Sequence, residues 1–229
     1  MASAIQWVID TKDVYNTKIL NLSLGSPANS SYRSDPLAKA VDEAIKSGIT
    51  VVVAAGNSGP AKKTILCPGN SPHAITIGAV DDKRTPEVSD DSIASFSSRG
   101  PTKEGIRKPD LVAPGVDIVS TSNKNTKSYI ALSGTSMATP IVSGTCALLY
   151  ERDDSLTPRE VKYLLKSSCI SLNDRQENQG AGILNLKNLF DKDISHIPPQ
   201  SPNPSEQYEI QSSNFIPYIL LFLLLSKKI

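Results

Sequence analysis

The sequence predicts an α/β protein in which helices cover both faces of a parallel β-sheet. Short runs of β-branched residues and leucine recur along the 229-residue chain and are typical of buried strands. Between the first two runs lies an amphipathic segment with helix start and stop signals, as expected for a crossover connection. Hydrophobic residues make up 39% of the chain, which is enough for one globular domain with a large core.

The first strand, helix and strand form a predicted βαβ unit. Residues 18–25 (KILNLSLG) and 49–56 (ITVVVAAG) have the composition of central strands, and both end at glycine. Between them Asp35 can cap a helix, Pro36 suits its first turn and Gly48 can end it. These signals predict two parallel strands joined by a right-handed crossover.

Three more strands are predicted further along the chain. They span residues 74–80, 108–115 and 116–122; a polar loop with glycine and proline separates the first two, and Gly115 marks the boundary between the last two. We expect all three to extend the sheet.

Two helices are predicted in the last third of the domain. One begins near Ser136 and continues through the apolar residues 141–150. The other begins at Thr157, because Thr157 and Glu160 have the spacing of a capping box and Pro158 suits the first helical position.

Composition changes after residue 194, so the folded domain is expected to span residues 1–194. Residues 195–214 are rich in proline and serine and predict an extended linker. Residues 215–229 form an apolar tail whose longest apolar run, 215–225, is shorter than the roughly 20 residues of a spanning helix. A membrane partner is therefore not expected. Two alternatives stay open for the tail: it contacts a membrane interface, or it has no function.

Charge and cysteine content argue against several classes of protein. The chain has 24 Lys+Arg against 23 Asp+Glu and no long basic run, so no nucleic-acid partner is expected. Cys67, Cys146 and Cys169 lack the spacing of metal ligands and are expected to be buried thiols. The opening residues lack a signal-peptide pattern, which favours a cytoplasmic location if Met1 is the true start.

Ser136 lies among small residues in the segment SGTSMATP, at the start of the predicted helix. Small neighbours allow a substrate backbone to approach, and the first helical turn offers unpaired N–H groups. Both features suit a nucleophilic serine, which also needs a base. Taken alone, Ser136 is more simply explained as a helix cap. Ala138 replaces the second glycine of the G-x-S-x-G elbow and argues against an α/β-hydrolase.

Four segments of the chain carry a resemblance to a known family. They occur in the order ILNLSLG, VVVAAGNSG, SFSSRGP with KPDLVAPG, and SGTSMATPIVSG. Together they resemble the subtilisin family of serine proteases, and residues 1–190 resemble the C-terminal part of its catalytic domain. The opening segment is most similar to bacterial members of the intracellular type. The resemblance implies a subtilisin-like fold in residues 1–194, with the N-terminal part of the domain absent, and serine endopeptidase activity.

The resemblance also implies roles for individual residues. Ser136 corresponds to the nucleophile, and Asn57 corresponds to the side chain that stabilises the oxyanion, although asparagine after glycine is otherwise typical of a turn. Two three-residue segments correspond to substrate-binding positions: Ser23, Leu24 and Gly25 beside the substrate backbone, and Ala54, Ala55 and Gly56 on a pocket wall. The implied partner is a peptide or protein substrate in extended conformation.

The base and acid of a catalytic triad are not matched in this chain. In the family both precede the ILNLSLG strand, and only 20 residues precede Asn21. His73 lies before a predicted strand and is expected to be structural, whereas His196 lies in the predicted linker. No matching motif surrounds Asp10 or Asp13.

Two functions therefore stay open for the sequence. The first is a serine endopeptidase when the catalytic domain is complete. The second is an inactive remnant or a peptide-binding module. No cofactor is expected and no metal ligands are assigned; calcium enters only by analogy with the family.

Overall fold

The computed structural model describes residues 1–194 and 197–198. Most of the predicted linker at 195–214 and all of the predicted tail at 215–229 lie outside the described residues. The helices are α1 (Ala2–Tyr15), α2 (Pro36–Lys46), α3 (Thr135–Arg152), α4 (Pro158–Ser167), α5 (Gln176–Gln179) and α6 (Leu186–Phe190). The strands are β1 (Ile19–Leu22), β2 (Thr50–Ala54), β3 (Ile75–Asp81), β4 (Ser92–Ile93), β5 (Leu111–Pro114), β6 (Ile118–Thr121) and β7 (Tyr129–Leu132).

The main sheet confirms the predicted α/β class. Strands β1, β2 and β3 are parallel neighbours, and β5 pairs with β3 in parallel. Among the described strands of this sheet, only the short β4 is antiparallel to its neighbour β3. The parallel arrangement brings the carboxyl ends of β1 and β2 to the same end of the sheet.

Alternation along β2 separates two hydrophobic cores. Val52 packs in one core with residues of α3 and α4, whereas Val51 and Val53 pack in the other with residues of α1 and α2. Successive side chains of a strand point to opposite faces. Helices therefore cover both faces of the sheet, as predicted.

The third of the later predicted strands, residues 116–122, does not extend the sheet. Its ordered part is β6, which pairs with β7 in a separate antiparallel hairpin. The side chains of Val119, Tyr129 and Leu132 in this hairpin are largely exposed. The β-branched composition of β6 thus reflects strand formation without core burial.

The two predicted helix caps, at Asp35 and Thr157, are confirmed in atomic detail. Asp35 Oδ1 accepts hydrogen bonds from the N–H groups of Leu37 at 2.8 Å and Ala38 at 3.1 Å. At α4, Glu160 N–H donates to Thr157 Oγ1 at 3.3 Å, and Thr157 N–H donates to Glu160 Oε2 at 2.7 Å. These bonds satisfy amides that lack partners inside their helices.

Thr157→Ala is expected to lower the free energy of unfolding by about 1 kcal/mol, because it removes the side-chain half of this capping box. Urea unfolding followed by circular dichroism measures the change. Thr126→Ala is the matched control, since Thr126 is exposed and its hydroxyl makes no hydrogen bond to the described residues. Equal stabilities for the two variants would contradict the prediction.

The cysteines are free and largely buried. Cys67 and Cys146 are buried as predicted, and Cys169 is half-buried. Burial raises the pKa of each thiol to about 12. These thiols are therefore protonated near neutral pH and are poor nucleophiles. Within the described residues, no helix is both long and apolar enough to cross a membrane.

Candidate active site

Ser136 is the second residue of α3 and is half-buried. The residue before the helix, Gly134, has φ 157° and ψ 159°, a conformation that essentially only glycine adopts. Gly134 N–H donates to Gly115 O at 2.8 Å, which ties the start of α3 to the segment after β5. The backbone N–H of Ser136 lies in the first turn, where amides have no partner inside the helix.

A proline inside α3 leaves the carbonyl of Ser136 without its usual partner. That carbonyl would accept from the N–H of residue 140, but residue 140 is proline and has no N–H. The hydroxyl of Ser23 donates to Ser136 O instead, at 3.0 Å. In return, Ser136 Oγ donates to Ser23 O at 3.1 Å. The two serines therefore hold each other across the start of α3 and the end of β1.

Asn57 follows the end of β2 and reaches the same helix start. Its Oδ1 accepts hydrogen bonds from both the N–H and the hydroxyl of Thr135, each at 3.0 Å. These two hydrogen bonds fix the orientation of the Asn57 amide and leave its Nδ2 available to donate. A Cβ placed on Gly134 would lie 3.2 Å from Nδ2, so the glycine also leaves room for this amide. The structure thus brings Asn57 next to the turn that carries Ser136.

Thr135 also belongs to the candidate site and was not predicted from the sequence. Besides its bonds to Asn57, its hydroxyl accepts from Gly56 N–H at 3.2 Å. It is buried and connects the end of β2 to α3. The signal for it was present, since Thr135 lies directly before Ser136 in the segment SGTSMATP.

The two predicted substrate-binding segments lie side by side. Residues 23–25 follow β1, Ala54 ends β2 and residues 55–56 follow it, so both segments lie at the carboxyl end of the parallel strands. Ala54, Ala55 and Gly56 are buried, whereas Gly25 is exposed. The segments therefore offer one accessible edge and one buried wall.

Leu66 separates these segments and was not predicted from the sequence. A Cβ on Gly25 would lie 2.9 Å from Leu66 Cβ, and one on Gly56 would lie 2.5 Å from Leu66 Cγ. The backbone of Leu66 is fixed by its N–H bond to Ala55 O at 2.9 Å. The space between the segments is therefore filled by a leucine side chain. No local sequence motif marks this residue, because its position depends on a long-range contact.

Comparison with known proteins identifies the family of the chain. The sequence pattern of the subtilase family, Peptidase S8, matches residues 1–187. The chain belongs to the subtilase family. The resemblance read from the four sequence segments is thereby confirmed.

Individual relatives show how much of a subtilase is present. The chain is 46% identical over 185 residues to serine protease AprX of Bacillus subtilis (strain 168), covering 74% of this chain and 42% of AprX. It is 37% identical over 189 residues to subtilisin DY of Bacillus licheniformis, covering 82% of this chain and 60% of that protein. The solved structure of sphericase superposes with a TM-score of 0.69 at 32% identity, covering 81% of this chain and 62% of sphericase. The chain thus spans 42% to 60% of the length of these two curated relatives.

The histidine and aspartates weighed from the sequence lie away from the candidate site. His73 lies two residues before β3, at the amino end of the parallel sheet, whereas the candidate site lies at the carboxyl end. Burial, followed by the charges of Lys162 and Lys108, lowers the pKa of His73 to about 4, so it is neutral at neutral pH. Asp10 and Asp13 belong to α1 and interact with other residues of that helix. His196 lies outside the described residues.

A second group of polar side chains supports Ser23. Asn21 Nδ2 donates to Ser23 Oγ at 2.9 Å, and Ser143 Oγ donates to Asn21 Oδ1 at 2.8 Å. These bonds fix the Asn21 amide with its NH2 group toward Ser23. Among the described residues, no histidine, lysine or carboxylate hydrogen-bonds to Ser136 Oγ.

Proposed function

We propose that the chain is the serine-bearing part of an endopeptidase that cleaves peptides through an acyl-enzyme. Ser136 is the nucleophile, and Asn57 Nδ2 together with the backbone N–H of Ser136 stabilises the oxyanion. The observation that carries the proposal is the orientation of Asn57, whose Oδ1 is held by Thr135 while its Nδ2 is left to donate.

The reaction follows from these roles. A base removes the proton of Ser136 as its oxygen attacks the substrate carbonyl, and the negative oxygen that forms accepts from the two N–H donors. The protonated base then gives its proton to the leaving amine, which leaves an acyl-enzyme on Ser136. Water, deprotonated by the same base, releases the acid product. We assign the base to polypeptide beyond the described residues, since subtilases place theirs before the ILNLSLG strand.

The substrate is proposed to be an extended peptide chain. Residues 23–25 offer main-chain groups along an exposed edge, to which a peptide can pair as an added strand. Main-chain pairing of this kind accepts many sequences. Selectivity for the side chain before the scissile bond then depends on the space between the two segments. Because Leu66 fills that space, we propose a preference for small side chains.

Leu66→Gly is expected to raise kcat/KM for substrates with a large apolar side chain at this position about tenfold or more, relative to alanine substrates. The physical reason is that the space vacated by the leucine can take up the larger side chain. Matched chromogenic peptides measure the ratio in the completed enzyme. Leu148→Ala serves as the control, since Leu148 is an exposed leucine of α3. An unchanged ratio would show that Leu66 does not limit this space.

A second candidate function is peptide binding without cleavage. The observation that favours it is the hydrogen bond from Ser136 Oγ to a backbone carbonyl, with no base among the described residues. Binding needs only the edge at residues 23–25 and the wall at residues 54–56. Cleavage needs the base as well.

One experiment separates the two functions. The 229-residue chain is compared with a chimera that adds the preceding catalytic region of AprX, in assays of peptide hydrolysis and of labelling by a fluorophosphonate. The endopeptidase proposal expects hydrolysis only by the chimera, with the label on Ser136 in peptide mass maps. Peptide binding by both proteins, with no hydrolysis and no label, favours the binding module. A label on a different residue would contradict the assignment of Ser136.

A further inference from the structure

Three lysines surround one buried carboxylate at the amino end of β3. Asp110 directly precedes β5, and its side chain is 1% exposed. Its Oδ2 accepts from Thr76 N–H at 2.8 Å and from Lys108 Nζ at 2.6 Å. Lys162 Nζ lies 3.0 Å from Oδ1, and Lys166 Nζ lies 3.7 Å from it. The cluster carries more positive than negative charge, which is costly in a buried place.

Main-chain oxygens complete the surroundings of these ammonium groups. Lys162 Nζ donates to Pro72 O and Ala74 O, both at 2.8 Å, in addition to its ion pair with Asp110. Lys108 Nζ also donates to Ala74 O, at 2.8 Å. We define this set of Pro72 O, Ala74 O and the two Asp110 carboxylate oxygens as the oxygen cage.

The geometry indicates that Lys162 is charged. Burial lowers its pKa well below the usual value, while Asp110 acts in the opposite direction. Lys162 Nζ donates to two carbonyl oxygens and lies 3.0 Å from Asp110 Oδ1 in an ion pair. A neutral amine would use both its protons on the carbonyls and turn its lone pair toward the carboxylate, whereas the ammonium form carries the opposite charge to it. Burial alone would raise the pKa of Asp110, but the surrounding lysines hold it below its usual value. The cage therefore contains a carboxylate and a tethered cation.

The composition of the cage is that of a site for a hard cation. Carboxylate and main-chain carbonyl oxygens are the ligands that calcium takes in proteins. Calcium does not fit the cage as it stands, because the ammonium groups of Lys162 and Lys108 lie among its oxygens. In residues 1–194 and 197–198, no three His, Cys, Asp or Glu side chains gather in a way that could hold a metal.

We propose that Lys162, together with Lys108, supplies from within the chain the positive charge that a bound cation would supply to this cage. The folded chain is therefore stable without calcium. Removing both ammonium groups converts the cage into an open oxygen site that a hard cation can occupy. The proposal concerns stability and does not depend on the catalytic proposal.

The cage anchors the segment that leads from the active site to β3. This segment is residues 66–74. It starts at Leu66, in the candidate site, and Pro72 and Ala74 lie near its other end. Lys162 belongs to α4, so its bonds connect this segment to a helix far away in sequence. A cation bound to the segment alone would lack that link to α4.

The test compares thermal unfolding of the 229-residue chain with that of Lys108→Met/Lys162→Met and of Lys162→Met alone. Each protein is melted in EDTA and in calcium chloride at matched ionic strength. We expect the Tm of the unmodified chain to be the same in both buffers. The double variant is expected to melt about 10 °C lower in EDTA, because Asp110 loses its main partners, and to regain part of that loss in calcium.

Lys166→Met is the matched control, because Lys166 is farther from Asp110, is 37% exposed and makes no bond to the carbonyl oxygens of the cage. We expect no calcium response from it. If the double variant folds only in calcium, the proposal is supported. If the double variant folds in neither buffer, Lys162→Met is compared in the same two buffers. A higher Tm in calcium than in EDTA supports the proposal, and equal Tm values overturn it. A calcium response of the unmodified chain, or none from either cage variant, would overturn the proposal.

Discussion

Replacing Ser136 by alanine in the completed enzyme is expected to lower kcat for peptide hydrolysis by about 10⁶. The reference for this magnitude is subtilisin, a relative of this chain, so the value is transferred from that enzyme. The physical reason is that no acyl-enzyme can form once the attacking oxygen is gone. A residual rate of about 10³ to 10⁴ over water is expected, because the oxyanion donors and the substrate edge are kept. Steady-state kinetics with a chromogenic peptide measures the loss.

Ser133→Ala is the control for this variant. Ser133 lies three residues earlier, is exposed, and bonds only to Asp117 among the described residues. We expect its kcat to match that of the unmodified enzyme, and circular dichroism to show that both variants are folded. Hydrolysis by Ser136→Ala at the unmodified rate would assign the nucleophile to another residue.

Replacing Asn57 by aspartate is expected to lower kcat by at least about 10² to 10³ with little change in KM. This range also comes from loss of the side-chain oxyanion donor in a subtilisin. Aspartate keeps an oxygen to accept from Thr135, so the local structure is preserved. It replaces the donor with a negatively charged oxygen, which repels the oxyanion. The effect falls on the transition state, because the charge develops only there.

Asn125→Asp provides a matched control, since Asn125 Oδ1 also accepts a backbone bond, from Lys127 N–H at 2.9 Å. The control adds the same charge outside the site and is expected to keep kcat. Thermal melting separates a kinetic loss from a folding loss. A rise in KM at constant kcat for Asn57→Asp would instead place Asn57 in ground-state binding.

Local signals in the sequence are sufficient to predict the first half of the sheet and the helix starts. Asp35 and Thr157 cap their helices because capping depends on residues two or three positions apart. The placement of Ser136 and Asn57 was carried by the family resemblance, and the structure brings both to one helix start. Whether they act in catalysis is what the kinetic variants measure.

The missed features depend on contacts between distant segments. The helix α1 was not predicted, because only Ile5 in it is buried and Trp7, Val14 and Tyr15 are exposed, which leaves a weak amphipathic pattern. The position of Leu66 depends on two glycines, Gly25 and Gly56, that follow β1 and β2. The role of Lys162 depends on carbonyl oxygens, which no side-chain pattern can show.

The two hydrogen bonds between Ser136 and Ser23 have a consequence for how the Ser136 hydroxyl would become available to a substrate. The carbonyl that holds the Ser136 hydroxyl belongs to the same edge that an extended peptide would use. Under the proposed function, an incoming peptide N–H and the serine hydroxyl would compete for this one acceptor. A bound peptide would then displace the hydroxyl from Ser23 O, so that substrate binding and release of the proposed nucleophile would be a single exchange of hydrogen-bond partners.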